Sequence, residues 1–326
     1  MPGDGRGDGK PRTGGQAVIE GVMMRAVPGG AAVAVRAPDG TIRARMIRKS
    51  LLGPRGGLWR KPVLRGAANL LDTLRLGLEA LSWSADVAES GNGDGKRQGG
   101  SFLTTALGIL LAVVLFAWLP LRLAMLAAGG EHNLWINLFA GLIRVAAFFG
   151  YVAAISLVPA IRRVFTFHGA EHQTIHAWER GSAEESLETA ALAEAPLHPR
   201  CGTSFLLLVL LVSILFYALV DTAAAAMAGG TVEAHWRVLY HLPLLPLVMG
   251  AGYEILKLVD RNLDRSPVAR AAAAPGMLLQ RMTTRKAGPD EIAVAAAALR
   301  LAVGLDPGAG VSLSAEDGDD RPACDR

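Results

Sequence analysis

The sequence predicts a membrane protein: an all-α core of four transmembrane helices, with a small cytoplasmic N-terminal β-element and amphipathic helices beside it. Three observations carry this. Of the 326 residues 51% are hydrophobic and the mean hydropathy is +0.32, which argues against a purely soluble chain. Four long apolar runs follow one another between Phe102 and Val259. Ahead of them, short apolar stretches alternate on either side of Pro38-Asp39-Gly40, the turn chemistry of a hairpin.

Residues 1–13 are rich in Gly, Asp and basic residues and are expected to be disordered. They hold no apolar core, so no cleavable signal peptide is expected. Residues 14–50 form the β-element: an apolar segment, GGQAVIEGVMMR, then a hairpin of Ala31 to Arg36 with Thr41 to Arg48. Gln16, Glu20 and Arg25 interrupt the first segment, either as the surface face of a strand or as side chains that close over a metal site. An amphipathic helix follows within 54–90. Leu64, Ala68, Leu71, Leu74, Leu78, Leu81 and Ala85 recur at i+3/i+4 steps, and Pro62 suits its first turn. With Arg60, Lys61, Arg65 and Arg75 alongside, that stripe fits either the inner leaflet or the β-element. Residues 91–100, GNGDGKRQGG, make a flexible linker.

The membrane domain is assigned to 101–260. Phe102 to Leu119 carries no charge and its apolar character runs on to Ala128; Leu134 to Ile161 is broken only by Arg144. Ser204 to Val220 and Leu239 to Val259 complete the four spans. The Leu121–Asn133 loop carries only Arg122 and the Asp221–Val238 loop only Arg237, whereas Arg162, Arg163, Arg180 and Arg200 occupy the loop 162–203. Basic loops stay cytoplasmic, so both termini and this loop are placed on the cytoplasmic side. The net charge of +4 reflects that bias, and the partner it implies is the anionic leaflet, not nucleic acid. An unpaired charge near mid-bilayer costs at least ~2.5 kcal/mol, so Arg144 is expected to face the bundle interior, with Glu254 as a candidate partner. His132, His235 and His241 read as lone solvated or interfacial histidines. Cys201 and Cys324 do not make a disulfide framework, and both fall on the reducing side.

The chemistry concentrates in FHGAEHQTIHAWE, Phe167 to Glu179, which holds three of the seven histidines and two glutamates. Read as a helix, His168, Glu171, His172, His176 and Glu179 fall within an arc of roughly 140°. His168 and His172 are i and i+4, so their imidazoles can meet on one ion, as can those of His172 and His176. His168-Gly-Ala-Glu171-His172 also has the H-x-x-E-H spacing of inverzincin proteases, in which the glutamate polarises a zinc-bound water. About a loop's length downstream, His198-Pro199-Arg200-Cys201 offers an imidazole and a thiolate that suit Zn²⁺. After the last span, 261–305 is a cytoplasmic helical segment. It contains a Thr283-Thr284-Arg285 cluster, an anion site or a turn, and a helix opened by Pro289-Asp290-Glu291. The tail, 306–326, is expected to be disordered.

GGQAVIEGVMMR, FHGAEHQTIHAWE, HPRCGTSF, GYEIL and PGMLLQRMTTR, in this order, resemble the YqhQ family of bacterial membrane proteins. The resemblance runs from about Gly14 to Val303. It implies an integral inner-membrane protein, described as a metal-dependent enzyme, whose suspected metal residues map onto His168, Glu171, His172, His176, His198 and Cys201. The family's usual Lys after Glu-His is Gln173 here.

Two functions are compatible with these residues. One is a divalent-metal hydrolase at the cytoplasmic face, of the zinc type by ligand chemistry: His168 and His172 as first ligands, a third from His176, His198 or Cys201, and Glu171 as general base. Its substrate would be a peptide or lipid-linked group near the membrane. The other is a non-catalytic scaffold or assembly factor for protein partners in the membrane, with a closed structural metal site. Metal transport fits less well, since the spans hold few polar residues to form a path.

Overall fold

The structure, a computed structural model, describes residues 10–27, 30–47, 64–90, 102–127, 134–199, 201–230, 232, 234–263 and 265–314. Residues 1–9, the linker at 91–100, Arg60, Lys61, Pro62, His132 and Cys324 lie outside them. The helices are α1 (Leu64–Ser90), α2 (Phe102–Val113), α3 (Leu119–Ala127), α4 (Leu134–Ile155), α5 (Pro159–Glu179), α6 (Leu187–Ala193), α7 (Gly202–Ala228), α8 (Ala234–Asn262), α9 (Pro267–Thr283) and α10 (Pro289–Ala302).

The N-terminal element is an antiparallel meander of β1 (Arg12–Val18), β2 (Gly21–Val27), β3 (Ala31–Arg36) and β4 (Ile42–Ile47). Within the stretches expected to be disordered, Arg12–Thr13 and Val311–Leu313 are strand, while residues 1–9 and 315–326 lie outside the described residues. β1 begins at Arg12, opposite Val27, because its backbone completes the ladder with β2. The tail returns as β5 (Val311–Leu313), which pairs parallel with β4 after Gly308 and Gly310 turn the chain at φ 110° and 80°. β2 and β3 read GVMMRAV and AAVAVR, almost without alternation, because helices cover both faces of the sheet.

On one face Leu76, Ala80, Trp83 and Val87 of α1 pack against Val18, Met23, Val33 and Val35. This is not the stripe picked out by periodicity. Leu71, Leu74 and Leu78 are 58%, 56% and 56% exposed. The sheet selects the side with small residues, where Gly77 abuts Gln16 and the Ser84 hydroxyl accepts from the Ile19 N–H at 3.2 Å. On the other face Phe167 and Ile175 of α5 and the alanine-rich α10 share a core with Val22, Met24, Ala32 and Ala34. Segments from both ends of the chain and the histidine helix thus form one three-layer unit.

Glu20, in the β1–β2 turn, has a positive φ of 50°, a backbone conformation that disfavours a side chain. Its carboxylate accepts from Arg163 of α5 at 2.9 to 3.0 Å, and Arg163 also reaches Glu291 of α10 at 2.8 Å. Arg25 pairs with Asp72 of α1 at 3.0 Å. Glu20, Arg25 and Gln16 therefore tie layers together and do not close over the histidines.

Three helices are long and apolar enough to cross a membrane among the described residues: α4, α7, and α8 from Leu239 to Asn262. The run expected as the first span is divided by a π-helical turn, Val114–Trp118, between α2 and α3, and is not one of them. Helices α4, α7 and α8 approach closely because a Cβ on Gly141 would strike Ile214, and one on Gly252 would strike Val209. Arg144 donates from Nε to the Phe116 carbonyl in the π turn at 3.2 Å and does not pair with Glu254. His241 is not lone: its Nε2 lies 2.8 Å from Asp221 Oδ1 and its ring stacks on Tyr217.

Candidate metal centre

The apolar run expected to continue to Ile161 ends earlier. Val158 is extended, as a residue before proline prefers, and Pro159 opens α5. The helix expected for Phe167 to Glu179 forms, and residues 167–175 are buried all round it. The packing is tightest at Gly169, where a Cβ would collide with the Arg285 carbonyl oxygen. The Arg285 N–H also donates to the Phe165 carbonyl at 3.0 Å, so the Thr283–Arg285 segment lies directly across α5.

That segment orients the first histidine. His168 Nδ1 is 2.8 Å from the Thr283 carbonyl oxygen, and His172 Nδ1 is 2.6 Å from that of Pro196. A carbonyl can only accept, so both rings carry their hydrogen on Nδ1 and present a bare Nε2 lone pair. His168 Nε2 lies 3.1 Å from Cys201 Sγ. His172 Nε2 is buried and has no hydrogen-bond partner among the described residues. The donor atoms of His168, His172 and Cys201 all lie within 4.8 Å of one another.

Cys201 is the N-cap of α7, and its sulfur accepts from the Thr203 N–H at 3.4 Å. Burial by itself would raise the thiol. The neighbouring His172 ring, with the hydroxyl and N–H of Thr203, instead holds it below its ordinary value, toward the thiolate that binds metals. Burial also holds the His172 imidazole below its usual range and so keeps it neutral. The turn before Cys201 is clamped by Gln280 of α9. This buried amide accepts from the His198 N–H at 2.8 Å and donates to the His198 carbonyl and the Ser204 hydroxyl, both at 2.8 Å.

Glu171, next to His172 in α5, is buried as well. Burial pushes its carboxyl up to about 8 and Cys201 adds to the rise; His168 and the Gly15 N–H act against it. Gly15 of β1 must be a glycine, since a Cβ would meet the Met23 carbonyl oxygen and the Glu171 side chain. The β-element does close over this site, through its backbone. An orphaned imidazole nitrogen, a second bare one and a thiol held toward ionisation form a donor set that fits a metal ion.

Residues 61–305 match the family described as a protein of unknown function, DUF1385. The chain belongs to the DUF1385 family. It is also 30% identical over 307 residues to the Bacillus subtilis (strain 168) protein named "Uncharacterized protein YqhQ", covering 87% of this chain and 90% of that one. No solved structure matches it.

Two of the expected metal residues of this DUF1385 chain do not join the cluster. His176 Nε2 is 2.8 Å from the Leu197 carbonyl oxygen, which takes that nitrogen out of ligation. The His198 ring lies beside that of His176, tilted 50° to it with ring centres 4.6 Å apart, and its Nε2 faces Glu179 at 3.5 Å. Together they carry the histidine face on toward Glu179, where α5 meets the turn before α7. Gln173 bridges α6 and the strand of chain before α10, donating to the Ala191 carbonyl at 3.0 Å and accepting from the Ala287 N–H at 2.8 Å.

Sequence reasoning missed the supporting groups: the carbonyls of Thr283 and Pro196, Gln280, and the glycines at 15 and 169. The DUF1385 motifs GGQAVIEG and PGMLLQRMTTR contain Gly15, Gln280 and Thr283, but backbone carbonyls and missing Cβ atoms leave no mark in residue chemistry. The Thr283-Thr284-Arg285 cluster serves as the brace of His168.

Proposed function

We propose that this chain is a multi-pass protein of the bacterial inner membrane, with both termini cytoplasmic and a hydrolase-type, metal-dependent site at the cytoplasmic face. The observation that carries the site is the bare, buried Nε2 of His172 beside His168 Nε2 and Cys201 Sγ. The apolar α4, α7 and α8 support the membrane placement, as does the concentration of Arg in the 162–203 loop; Phe102 to Ala127 supplies the fourth span. Zn²⁺ is the ion that two imidazoles and a thiolate suit best, and three protein ligands leave one position for water or substrate.

Bound there, the ion would supply Lewis acidity toward a carbonyl or phosphoryl oxygen and would acidify a water. His168 and His172 hold their lone pairs in place through the Thr283 and Pro196 carbonyls. Glu171 takes up the proton of the attacking water and returns it to the leaving group. Burial holds its carboxyl up at about 8, and cationic charge bound beside it would act against that rise. Its substrate would be a peptide or a lipid-linked group close to the bilayer.

A second reading is a scaffold for other membrane proteins with a structural metal, favoured by burial: His168, Glu171, His172 and Cys201 are at most 7% exposed. One comparison separates the two. Purified protein is assayed for bound zinc, and Glu171→Gln is tested in cells. A catalytic site keeps its metal while function fails; a structural clamp tolerates Glu171→Gln but unfolds when His172 is removed. Wild-type protein without stoichiometric metal overturns both.

A further inference from the structure

A shallow groove lies between α7, α8 and α9, against the turn that carries Cys201. Leu207, Leu208 and Leu211 of α7, Leu256 and Val259 of α8, and Ala273 of α9 line it. Pro199 and Ser204, two residues before and three after Cys201, line the end nearest the metal centre. A Cβ on Gly276 would strike Ser204, so α9 is drawn close against α7 there. The Ser204 hydroxyl accepts from Gln280 Nε2 at 2.8 Å, and Gln280 holds both backbone groups of His198. One end of the groove is thus built from the residues that fix the metal-bearing turn. Ser204 to Leu211 is seven residues of helix, so the groove runs about 10 Å along α7, away from the site.

The chemistry of this lining selects among occupants. Its polar side chains are Ser204, whose hydroxyl is already engaged, and Asp260. A peptide laid here would bury an N–H and a C=O at each residue without a matching row of partners, which is costly. A hydrocarbon chain brings apolar surface and makes no such demand. The setting agrees. Both α7 and α8 are long and apolar enough to cross a membrane, and Leu215, Leu219 and Leu258 on them are 59%, 62% and 63% exposed. Leu258 stands between Leu256 and Val259, and Leu215 is one turn beyond Leu211. The groove therefore adjoins the surface that lipid chains would cover.

We infer that this groove takes the hydrocarbon chain of a lipid-linked substrate, with the polar head toward the metal centre and the tail laid along α7. The inference rests on the membrane-bound metal site proposed above, and it selects a lipid-linked group over a peptide as what that site acts on.

The test uses full-length protein in a neutral detergent. The probe is phosphatidylglycerol with a photoreactive diazirine in one acyl chain. Labelled residues are read by mass spectrometry, and bound zinc is measured on the same sample. Labels should gather on residues 207–211 and 272–276, above those on Leu215 and Leu219. Filling the groove with Ala273→Trp should lower the groove labels by about tenfold, the affinity that about two buried methylenes supply, and leave Leu215 and Leu219 as they were. Should that variant not fold, Ala272→Phe on the same wall takes its place. Equal labelling of the groove and of Leu215 and Leu219, or groove labels that persist in the filled variant, overturns the inference. Groove labels displaced by an excess of an acetylated, amidated Leu-Ala repeat peptide but not by unlabelled phosphatidylglycerol make the occupant a peptide and overturn it as well. The zinc reading tells the failures apart. Metal-free chains that still gather the label overturn the proposed site and the substrate role with it, whereas chains that hold zinc and label evenly overturn only the groove.

Discussion

His168 Nε2 and Cys201 Sγ lie 3.1 Å apart, although 33 residues separate them in the chain. The two come from different helices: His168 from the middle of α5, Cys201 from the cap of α7. Each is fixed from α9, through the Thr283 carbonyl and through Gln280.

Metal content should follow this grouping. Cys201→Ser or His172→Ala is expected to lower bound metal from about one ion per chain by tenfold or more in apparent affinity, whereas His176→Asn should leave it near wild type. Elemental analysis of the purified variants checks this. Equal losses in all three would show that the cluster is wrongly bounded.

Gly169→Ala should destabilise the chain by about 3 kcal/mol or more, because the new methyl meets a backbone carbonyl that cannot move without displacing Thr283 from His168. Metal should be lost with it. Gly108→Ala in α2, where a Cβ meets nothing within 4 Å, is the control and should be neutral or slightly stabilising. Unfolding midpoints of the two variants decide the matter.

Protein stripped of metal should lose stability as pH rises. Burial raises the Glu171 carboxyl from 4.5 to about 8 in the folded chain. Between those values the folded state holds a proton that the unfolded state has released, so stability is greatest below pH 4.5 and falls until pH passes about 8. Glu171→Gln removes this group's contribution and should flatten the slope in that window. Added zinc should flatten it too. A denaturation series across pH 5 to 8 reads the effect; an unchanged slope in Glu171→Gln would count against it.

The side of α1 that holds the sheet can be read from two substitutions. Trp83→Ala should cost about 3–5 kcal/mol, as it empties a buried site on β3. Leu78→Ala, on the exposed leucine stripe, should fall within about 0.5 kcal/mol. A reversed order would mean that the periodic stripe faces the sheet after all.

What the sequence determined by itself was whatever depends on residue type and spacing along one element. It determined the apolar helices α4, α7 and α8, the hairpin around Pro38-Asp39-Gly40, and the helical face that carries His168, Glu171 and His172. Hydrophobic length, turn chemistry and a 3.6-residue period are local properties, and they were legible. Tertiary structure decided which partner each face met. It brought Cys201, from the cap of α7, within 4.8 Å of the His168 and His172 donor atoms, while His176 lies against the Leu197 carbonyl and His198 faces Glu179. It turned the small-residue side of α1 to the sheet instead of its leucine stripe, and paired Arg144 with a carbonyl freed by a π turn instead of with Glu254. It also drew the tail back as β5. Each of these outcomes depends on backbone groups or missing side-chain atoms from distant segments, and one-dimensional pattern carries no record of them.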